Sequence, residues 1–205
     1  MRIIAGKYRG HQLVAFSADH IRPTTDRVKE TLFNKLQFQL EGANVADLFC
    51  GTGNLGIEAL SRDARFCTFV EKNPKSLAIT RQNFEKLKVP ASSYKVINMD
   101  VLAFFKSYTG EPFDIIFADP PFTEKMAHFV VEAASTSAAF GNHTIMAIES
   151  QRKERMEDRY GSLVRYSKKD YGDKILSMFC HESALEEEAS KDTSEDTQEE
   201  ESHDE

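Results

Sequence analysis

The chain has 205 residues, of which 40% are hydrophobic and 29% are charged, as expected for one globular domain with short additions. Its longest apolar runs are strand-sized, well below the ~20 residues that a membrane-spanning helix needs, and its first residues lack a signal-peptide core. The three cysteines show no CxxC spacing, which indicates neither a disulfide framework nor a metal site and predicts a reducing, cytoplasmic location.

The net charge of −7 is unevenly distributed along the chain. Residues 182–205 hold 12 of the 33 acidic residues and one of the 26 basic residues, which leaves a net charge of +4 on residues 1–181. A mildly basic body is compatible with a polyanionic partner. The acidic segment has too few apolar residues to form a core, so we predict a disordered tail over 182–205.

The first 40 residues are predicted to form an extension made of a hairpin and a helix. Two short apolar pieces within residues 1–16 indicate a basic hairpin, which suits a solvated edge and a phosphate contact equally well. Next, Pro23 keeps Arg22 extended, and the residues that follow can cap an amphipathic helix. The pattern alone favours a packing role for this helix start over a role for Arg22 and Thr24 as a lid above a ligand.

From Asn44 onward, β-rich apolar runs alternate with helical segments, which predicts a parallel sheet with helices on both faces. We assign this α/β domain to residues 41–181. A turn near residues 171–173 indicates a closing antiparallel hairpin. Seven strands are expected in all, beginning near residues 45, 66, 94, 113, 144, 163 and 174.

A glycine turn follows the first of these strands, with Gly51, Gly53 and Gly56 in the spacing GxGxxG. Glycine permits a tight turn and the close approach of a ligand, and the start of the next helix offers N–H groups and partial positive charge. The spacing matches the dinucleotide fingerprint, and Glu71 lies near the position of its ribose-binding acid. Asp47, four residues before Gly51, argues against a dinucleotide, because it would repel a pyrophosphate. It would attract the sulfonium and ammonium groups of S-adenosylmethionine.

Four acidic residues follow in succession at the ends of the predicted parallel strands: Asp47, Glu71, Asp100 and Asp119. Ligands of open α/β sheets bind beyond these strand ends. Glu71 can accept both ribose hydroxyls of a cofactor. Asp100 can accept an adenine amine beside an apolar wall at Val101, although a helix cap accounts for Asp100 equally well.

The segment Asp119-Pro120-Pro121-Phe122 is the most specific motif in the chain. Two prolines remove N–H donors and leave carbonyl groups free to accept hydrogen bonds. The Asp119 carboxylate and the Pro120 carbonyl could each accept one N–H of an amine and direct its lone pair toward a methyl donor. Phe122 offers a flat face for a base taken out of its stack. This chemistry requires no metal.

These motifs resemble those of class I S-adenosylmethionine-dependent amino methyltransferases, with Asp47-x-Phe49-x-Gly51-x-Gly53 in the cofactor region. The segments 22–30 (Arg-Pro-Thr-Thr-Asp-Arg-Val-Lys-Glu) and 171–173 (Tyr-Gly-Asp), with the opening residues 2–6, resemble the RsmD family over residues 1–180. The resemblance implies a Rossmann-like fold, S-adenosylmethionine as cofactor, and methylation of a guanine N2 in 16S rRNA, within the small ribosomal subunit. It also places Arg22 and Thr24 at the active site.

Two features depart from the family pattern. Phe122 stands where tyrosine is more usual, and the acidic tail has no counterpart. Three alternatives stay open at this point: a DNA adenine-N6 or cytosine-N4 methyltransferase, an NAD-dependent oxidoreductase, and a catalytically idle RNA-binding relative. No membrane contact and no obligate protein partner is expected.

Overall fold

The computed structural model describes residues 1–15, 26–121 and 125–187. Its centre is one sheet of eight strands in the order β3-β2-β1-β4-β5-β8-β7-β6. The strands are β1 (Asn44–Leu48), β2 (Phe66–Val70), β3 (Tyr94–Ile97), β4 (Phe113–Ala118), β5 (Phe140–Gln151), β6 (Arg159–Tyr160), β7 (Leu163–Asp170) and β8 (Lys174–His181). The first five pair in parallel, and the last three pair antiparallel.

Helices connect the parallel strands, as the alternating pattern predicts. The connecting helices are α2 (Asn54–Ser61), α3 (Pro74–Leu87), α4 (Val101–Ser107) and α5 (Met126–Ser135). The helix α1 (Asp26–Lys35) precedes β1, and a short 3₁₀ turn at Ala91–Ser93 precedes β3. The start of α3 has two local causes. Pro74 supplies a preset φ at the first helical position, and the Asn73 side chain caps the helix by accepting the Lys75 N–H.

The predicted fold class is confirmed, with one more strand than the seven expected. The additional strand, β6, has two residues and pairs with β7 at the edge of the sheet. Its two residues are too few to show the alternating apolar pattern that predicts a strand. It is a strand because of its pairing with β7, which the sequence pattern does not show. The strand β5 also begins earlier than expected, at Phe140 rather than near residue 144.

The prediction of a tail that lacks structure from residue 182 onward is wrong for its first six residues. Residues 182–187 continue from β8 as a helical segment. Its start is held by two contacts: the Glu182 N–H donates to the Ser162 carbonyl, and the Glu182 carboxylate pairs with Arg159 at 2.5 Å. The rest of the predicted tail lies outside the described residues.

The N-terminal arm, residues 1–15, forms a reduced version of the predicted hairpin. It contains a single antiparallel bridge, between Arg2 and Gln12. Two buried side chains of the arm, Ile3 and Leu13, join the same apolar cluster as residues of α1, α2 and α3. The predicted extension therefore shares one core with the rest of the domain.

A second apolar cluster covers the other face of the sheet, beneath α4 and α5. Together the two clusters bury both faces of the central parallel strands, which accounts for the near-continuous apolar runs of β1 and β4. No helix within the described ranges is both long and apolar enough to cross a membrane.

Candidate active site

The glycine turn after β1 has the backbone that its sequence requires. Gly51 and Gly53 both adopt left-handed conformations, with φ of 57° and 80°. Among the described residues, a Cβ on Gly51 would meet only the Phe49 carbonyl oxygen, at 3.8 Å, so this part of the chain leaves space for a ligand beside it. Phe49 itself has φ of 56°, a strained value of the kind that concentrates at functional sites.

The third glycine of the turn has a packing role. A Cβ on Gly56 would lie 2.3 Å from Cε1 of Phe69 and 2.7 Å from Sγ of Cys67, both on β2. The helix α2 can therefore lie against β2 only with a glycine at this position. The GxGxxG spacing is thus explained by a turn and a close helix–strand contact, and it implies no particular ligand.

Backbone N–H groups of the turn are already bonded to carboxylates. The Asp47 Oδ2 atom accepts the Gly56 N–H at 2.8 Å, and the Glu71 Oε2 atom accepts the Gly51 N–H at 3.2 Å. The expectation that this helix start offers its amides to a ligand is therefore wrong for Gly51 and Gly56. Carboxylates, rather than open amides, line the turn, which makes it a poor site for a pyrophosphate.

Asp47 is almost completely buried, at 2% exposed. Burial raises its pKa to about 8, the Gly56 N–H opposes this shift, and the carboxylates of Asp119 and Glu71 add to it. The parallel pairing of Leu48 with Val70 and with Ala118 brings these three acids, predicted at separate strand ends, near one another. A cation that enters this edge of the sheet would relieve their mutual repulsion.

Asp119 directly follows β4 and is half-buried, with Pro120 buried behind it and Pro121 exposed. The parallel pairing of Leu48 with Ala118 brings the end of β4 beside the end of β1, so Asp119 and Asp47 share one edge. Phe122, predicted to stack against the target base, lies outside the described residues.

A lysine that sequence reasoning missed joins this acidic edge. The Lys174 Nζ atom lies 2.5 Å from Oε2 of Glu149 and 3.8 Å from Oδ1 of Asp119. Glu149 belongs to β5 and Lys174 opens β8, which pairs antiparallel with β5. The lysine directly follows the predicted Tyr-Gly-Asp turn. Its contact with Glu149 depends on the pairing of β5 with β8, which the sequence does not show.

Asp100 and Val101 have local structural roles in the described chain. The Asp100 Oδ1 atom caps α4 by accepting the Leu102 N–H at 3.0 Å, and its Oδ2 atom lies 3.7 Å from the Lys72 ammonium. Val101 is buried in the second apolar cluster. Their contacts with an adenine ring remain predictions. Arg22 and Thr24 lie outside the described residues.

The N-terminal arm is fixed to the glycine turn by Asn83 of α3. The buried Asn83 amide accepts the Val14 N–H at 2.7 Å and donates to the Val14 and Thr52 carbonyls, at 3.1 and 2.9 Å. This single side chain therefore joins the arm, α3 and the turn. The sequence does not predict this role, because an asparagine in an amphipathic helix is not distinguished by the pattern.

A buried ionic network of α1 and α2 also binds the backbone of the arm. Lys29 and Glu58 are 1% and 0% exposed, with Nζ and Oε2 2.9 Å apart. Glu58 also accepts the N–H groups of Ile4 and Ala5, at 2.8 and 3.0 Å, and pairs with Arg62 at 2.9 Å. Burial lowers the pKa of Lys29, and the Glu58 carboxylate opposes that shift. The network explains why a charged residue occupies the inner face of α1.

Sequence comparisons place the chain among ribosomal RNA methyltransferases. The model of the family described as "Conserved hypothetical protein 95" matches residues 1–180. The chain is 36% identical over 153 residues to "Ribosomal RNA small subunit methyltransferase D" of Haemophilus influenzae, covering 74% of this chain and 79% of that protein. Its identity to the protein of the same name in Escherichia coli is 34% over 152 residues, covering 74% and 75%.

Solved structures show the same relationship. The Escherichia coli protein yhhF superposes with a TM-score of 0.78 and 30% identity, covering 88% of this chain and 97% of that one. A more distant structure, SMU.776, is complexed with SAH and shares the fold alone, with a TM-score of 0.58 and 15% identity over 72% of this chain and 48% of that one. The chain therefore belongs to the RsmD family, that of the ribosomal RNA small subunit methyltransferase D proteins.

Proposed function

We propose that this protein transfers a methyl group from S-adenosylmethionine to the exocyclic N2 of a guanine in 16S rRNA. One observation carries the proposal: the glycine turn is lined by carboxylates that already hold its Gly51 and Gly56 amides. Such a turn favours a cationic cofactor over a dinucleotide. The names of the relatives support an rRNA substrate, and the small ribosomal subunit is the form in which we expect it.

The residues of the turn fit this cofactor. S-adenosylmethionine carries a sulfonium and an ammonium group, and Asp47, Glu71 and Asp119 form an edge that a positive charge stabilises. The open space beside Gly51 allows close approach. Asp47, Glu71, Gly51 and Gly53 would hold the cofactor. By family resemblance, Phe49, Asp100, Val101, Arg22 and Thr24 would complete its site.

The chain's own groups would orient the amine. When bound, the cofactor supplies an electrophilic methyl group on its sulfonium. Asp119 would accept one N–H of the guanine amine and the Pro120 carbonyl another, which directs the nitrogen lone pair. A carboxylate at that nitrogen also stabilises the positive charge that develops on it. Phe122 would stack on the base, which must leave its helix to reach this edge.

Two rivals differ in what they require of the site. An oxidoreductase would need its pyrophosphate to face the Glu71 carboxylate, which repels it, at a turn whose Gly51 and Gly56 amides are already bonded. A DNA amino methyltransferase would use the same Asp-Pro-Pro chemistry on another nucleic acid. The described chain shows no second globular unit that could read a DNA sequence.

The test is methyl transfer from labelled S-adenosylmethionine to small ribosomal subunits that lack the modification, with duplex DNA as a parallel substrate. Nuclease digestion and mass spectrometry then identify the modified base. We expect N2-methylguanine in 16S rRNA. Label in DNA, as N6-methyladenine or N4-methylcytosine, would overturn the substrate, and cofactor binding without any transfer would indicate the idle relative.

Substitution of Asp119 tests the mechanism within the same assay. Asp119→Ala removes one acceptor for the amine, so we expect turnover to fall by at least ~10²-fold, in the range of lost electrostatic stabilisation, while the protein still binds S-adenosylmethionine. Glu132→Ala, an exposed position on α5, is the matched control and should retain full activity. Full activity of Asp119→Ala would exclude the proposed role.

A further inference from the structure

A cavity of about 260 Å³ lies beside the end of β5, and most of its charge is positive. We call it the basic cavity. Ser150 and Ile175 contribute to its wall, and the loop after β5 forms one side of it. Five of its lining residues are basic and one, Glu154, is acidic; the basic ones are Arg152, Lys153, Arg155, Arg165 and Lys168.

The loop that carries most of these residues is fixed in place by its own backbone. The Arg152 N–H donates to the Asp173 carbonyl at 2.9 Å, and the Glu154 N–H donates to the Gln151 carbonyl at 3.0 Å. The Glu154 carboxylate is committed to the His128 N–H at the start of α5, at 3.1 Å. The one acidic group of the lining is therefore bonded to another element, and the cavity is largely preformed.

Arg165 forms a rigid wall of the cavity rather than a free charge. Its guanidinium pairs with Asp158, donates to Ser177 Oγ and the Met156 carbonyl, both at 3.2 Å, and lies over the Phe179 ring. Hydrogen bonding to this guanidinium lowers the pKa of Asp158. The Arg165 charge is thus largely matched by Asp158, which leaves the loop and β7 to supply the excess of positive charge.

That excess resides on exposed side chains. Lys153, Arg155 and Lys168 are exposed, and none of them forms an ion pair with another residue in the part of the chain that the structure describes. Arg152 pairs with Asp170 at 3.3 Å, but both side chains are about half exposed, so this pair is weak and easily exchanged. A preformed cavity with an excess of positive charge attracts an anion of phosphate size.

The position of the cavity connects it to the acidic edge. Ser150 follows Glu149, and Ile175 follows Lys174, in the paired strands β5 and β8. The Lys174 ammonium contacts both Glu149 and Asp119. Side chains alternate along a strand, so the cavity lies on the opposite face of β5 and β8 from the Glu149–Lys174 pair, at the same end of the sheet as Asp119.

We propose that the basic cavity binds a backbone phosphate of the RNA next to the nucleotide that Asp119 receives. This inference rests on the proposed function and adds to it a specific anchor for the substrate. Lys153, Arg155 and Lys168 provide the charge, while the fixed loop and Arg165 provide the shape. Contacts of this kind set the register of a nucleic acid and carry no sequence information.

The experiment compares two double variants that remove equal charge. Lys153→Gln/Lys168→Gln alters the cavity, and Lys95→Gln/Lys106→Gln alters exposed lysines on β3 and α4. Binding of unmodified small ribosomal subunits is measured over a series of salt concentrations, together with S-adenosylmethionine affinity and the rate of methyl transfer.

For the cavity variant, we expect weaker binding and a salt slope reduced by about 1, the value for the loss of one phosphate contact. Its S-adenosylmethionine affinity and its kcat at saturating subunits should match those of the wild type. An unchanged slope, or one equal to that of the control variant, would overturn the proposal. Failure of the wild-type protein to methylate small subunits would instead reject the proposed function, so the two failures are distinguishable.

Discussion

The ammonium group of Lys174 lies 3.8 Å from Oδ1 of Asp119. The buried Glu149 carboxylate lies 2.5 Å from the same ammonium group, so the lysine stands between two carboxylates. Removal of the lysine would leave like charges facing each other and would displace Asp119 from the position in which it meets an amine.

Lys174→Met should therefore lower kcat by about tenfold, the effect of a ~1.4 kcal/mol loss in the transition state, with little change in the KM for S-adenosylmethionine. Steady-state kinetics with small subunits measure both constants. Glu149→Gln on the same background removes the facing charge and should restore part of kcat, whereas equal effects in the single and double variants would contradict a positioning role. Lys106→Met serves as the control for loss of one charge.

The raised pKa of Asp47 makes stability dependent on pH. Its pKa is about 8 in the folded protein and near 3.8 in a free side chain, so the folded state retains a proton that the unfolded chain releases. The stabilising contribution is fully present below about pH 4 and is lost as the pH rises through 8.

Asp47→Asn keeps an acceptor for the Gly56 N–H and removes the ionisable group. At pH 8 we expect the ligand-free variant to gain about 1–2 kcal/mol, which corresponds to a Tm increase of roughly 2–8 °C, with no gain at pH 4. S-adenosylmethionine should bind the variant at least tenfold more weakly. Thermal melts and titration calorimetry report these values, and a Tm gain that is the same at both pH values would exclude Asp47 as its cause. Glu132→Gln is the exposed control.

Two glycines of the same motif should respond differently to alanine. Gly56→Ala places a methyl group 2.3 Å from Phe69, so we expect a loss of about 1–3 kcal/mol from overpacking. The methyl group of Gly51→Ala meets no close neighbour among residues 1–15, 26–121 and 125–187, and its cost comes from the positive φ, roughly 1–2 kcal/mol.

The ligand distinguishes these two variants. Gly51→Ala should lose most S-adenosylmethionine affinity, because the methyl group enters the space of the ligand, while Gly56→Ala should retain affinity in its folded fraction. Urea unfolding and equilibrium binding test the pair. Equal losses of affinity in both variants would show that the space beside Gly51 is not the cofactor site.

The buried pair of Lys29 and Glu58 predicts a large cost for removing one partner. Lys29→Met leaves the Glu58 carboxylate buried with Arg62 as its remaining cation, so we expect a loss of about 3 kcal/mol. Urea unfolding measures it. The double variant Lys29→Met/Glu58→Gln should recover part of the loss. If the double variant were no more stable than Lys29→Met, the buried Glu58 charge would not be the cause of the lost stability.

The sequence predicted those features that depend on local pattern. The alternation of strands and helices gave the fold class, and Asp47, Glu71 and Asp119 were assigned to one edge because parallel strands end together. Pattern could not reveal the partners of Lys174, Asn83 or Glu58. Each of these depends on a contact between residues distant in the chain, and a lysine on an amphipathic helix is ordinarily a surface residue.

The anchoring of the N-terminal arm also constrains the order in which the chain can fold during synthesis. Ile4 bonds to a residue 54 positions later, and Val14 bonds to one 69 positions later. At a synthesis rate of ~5–20 residues per second, about 3–14 seconds pass between the synthesis of Val14 and that of Asn83. The apolar side chains of Ile3 and Leu13 are uncovered during that interval. The arm therefore leaves the ribosome first but cannot complete its docking until α3 has been made.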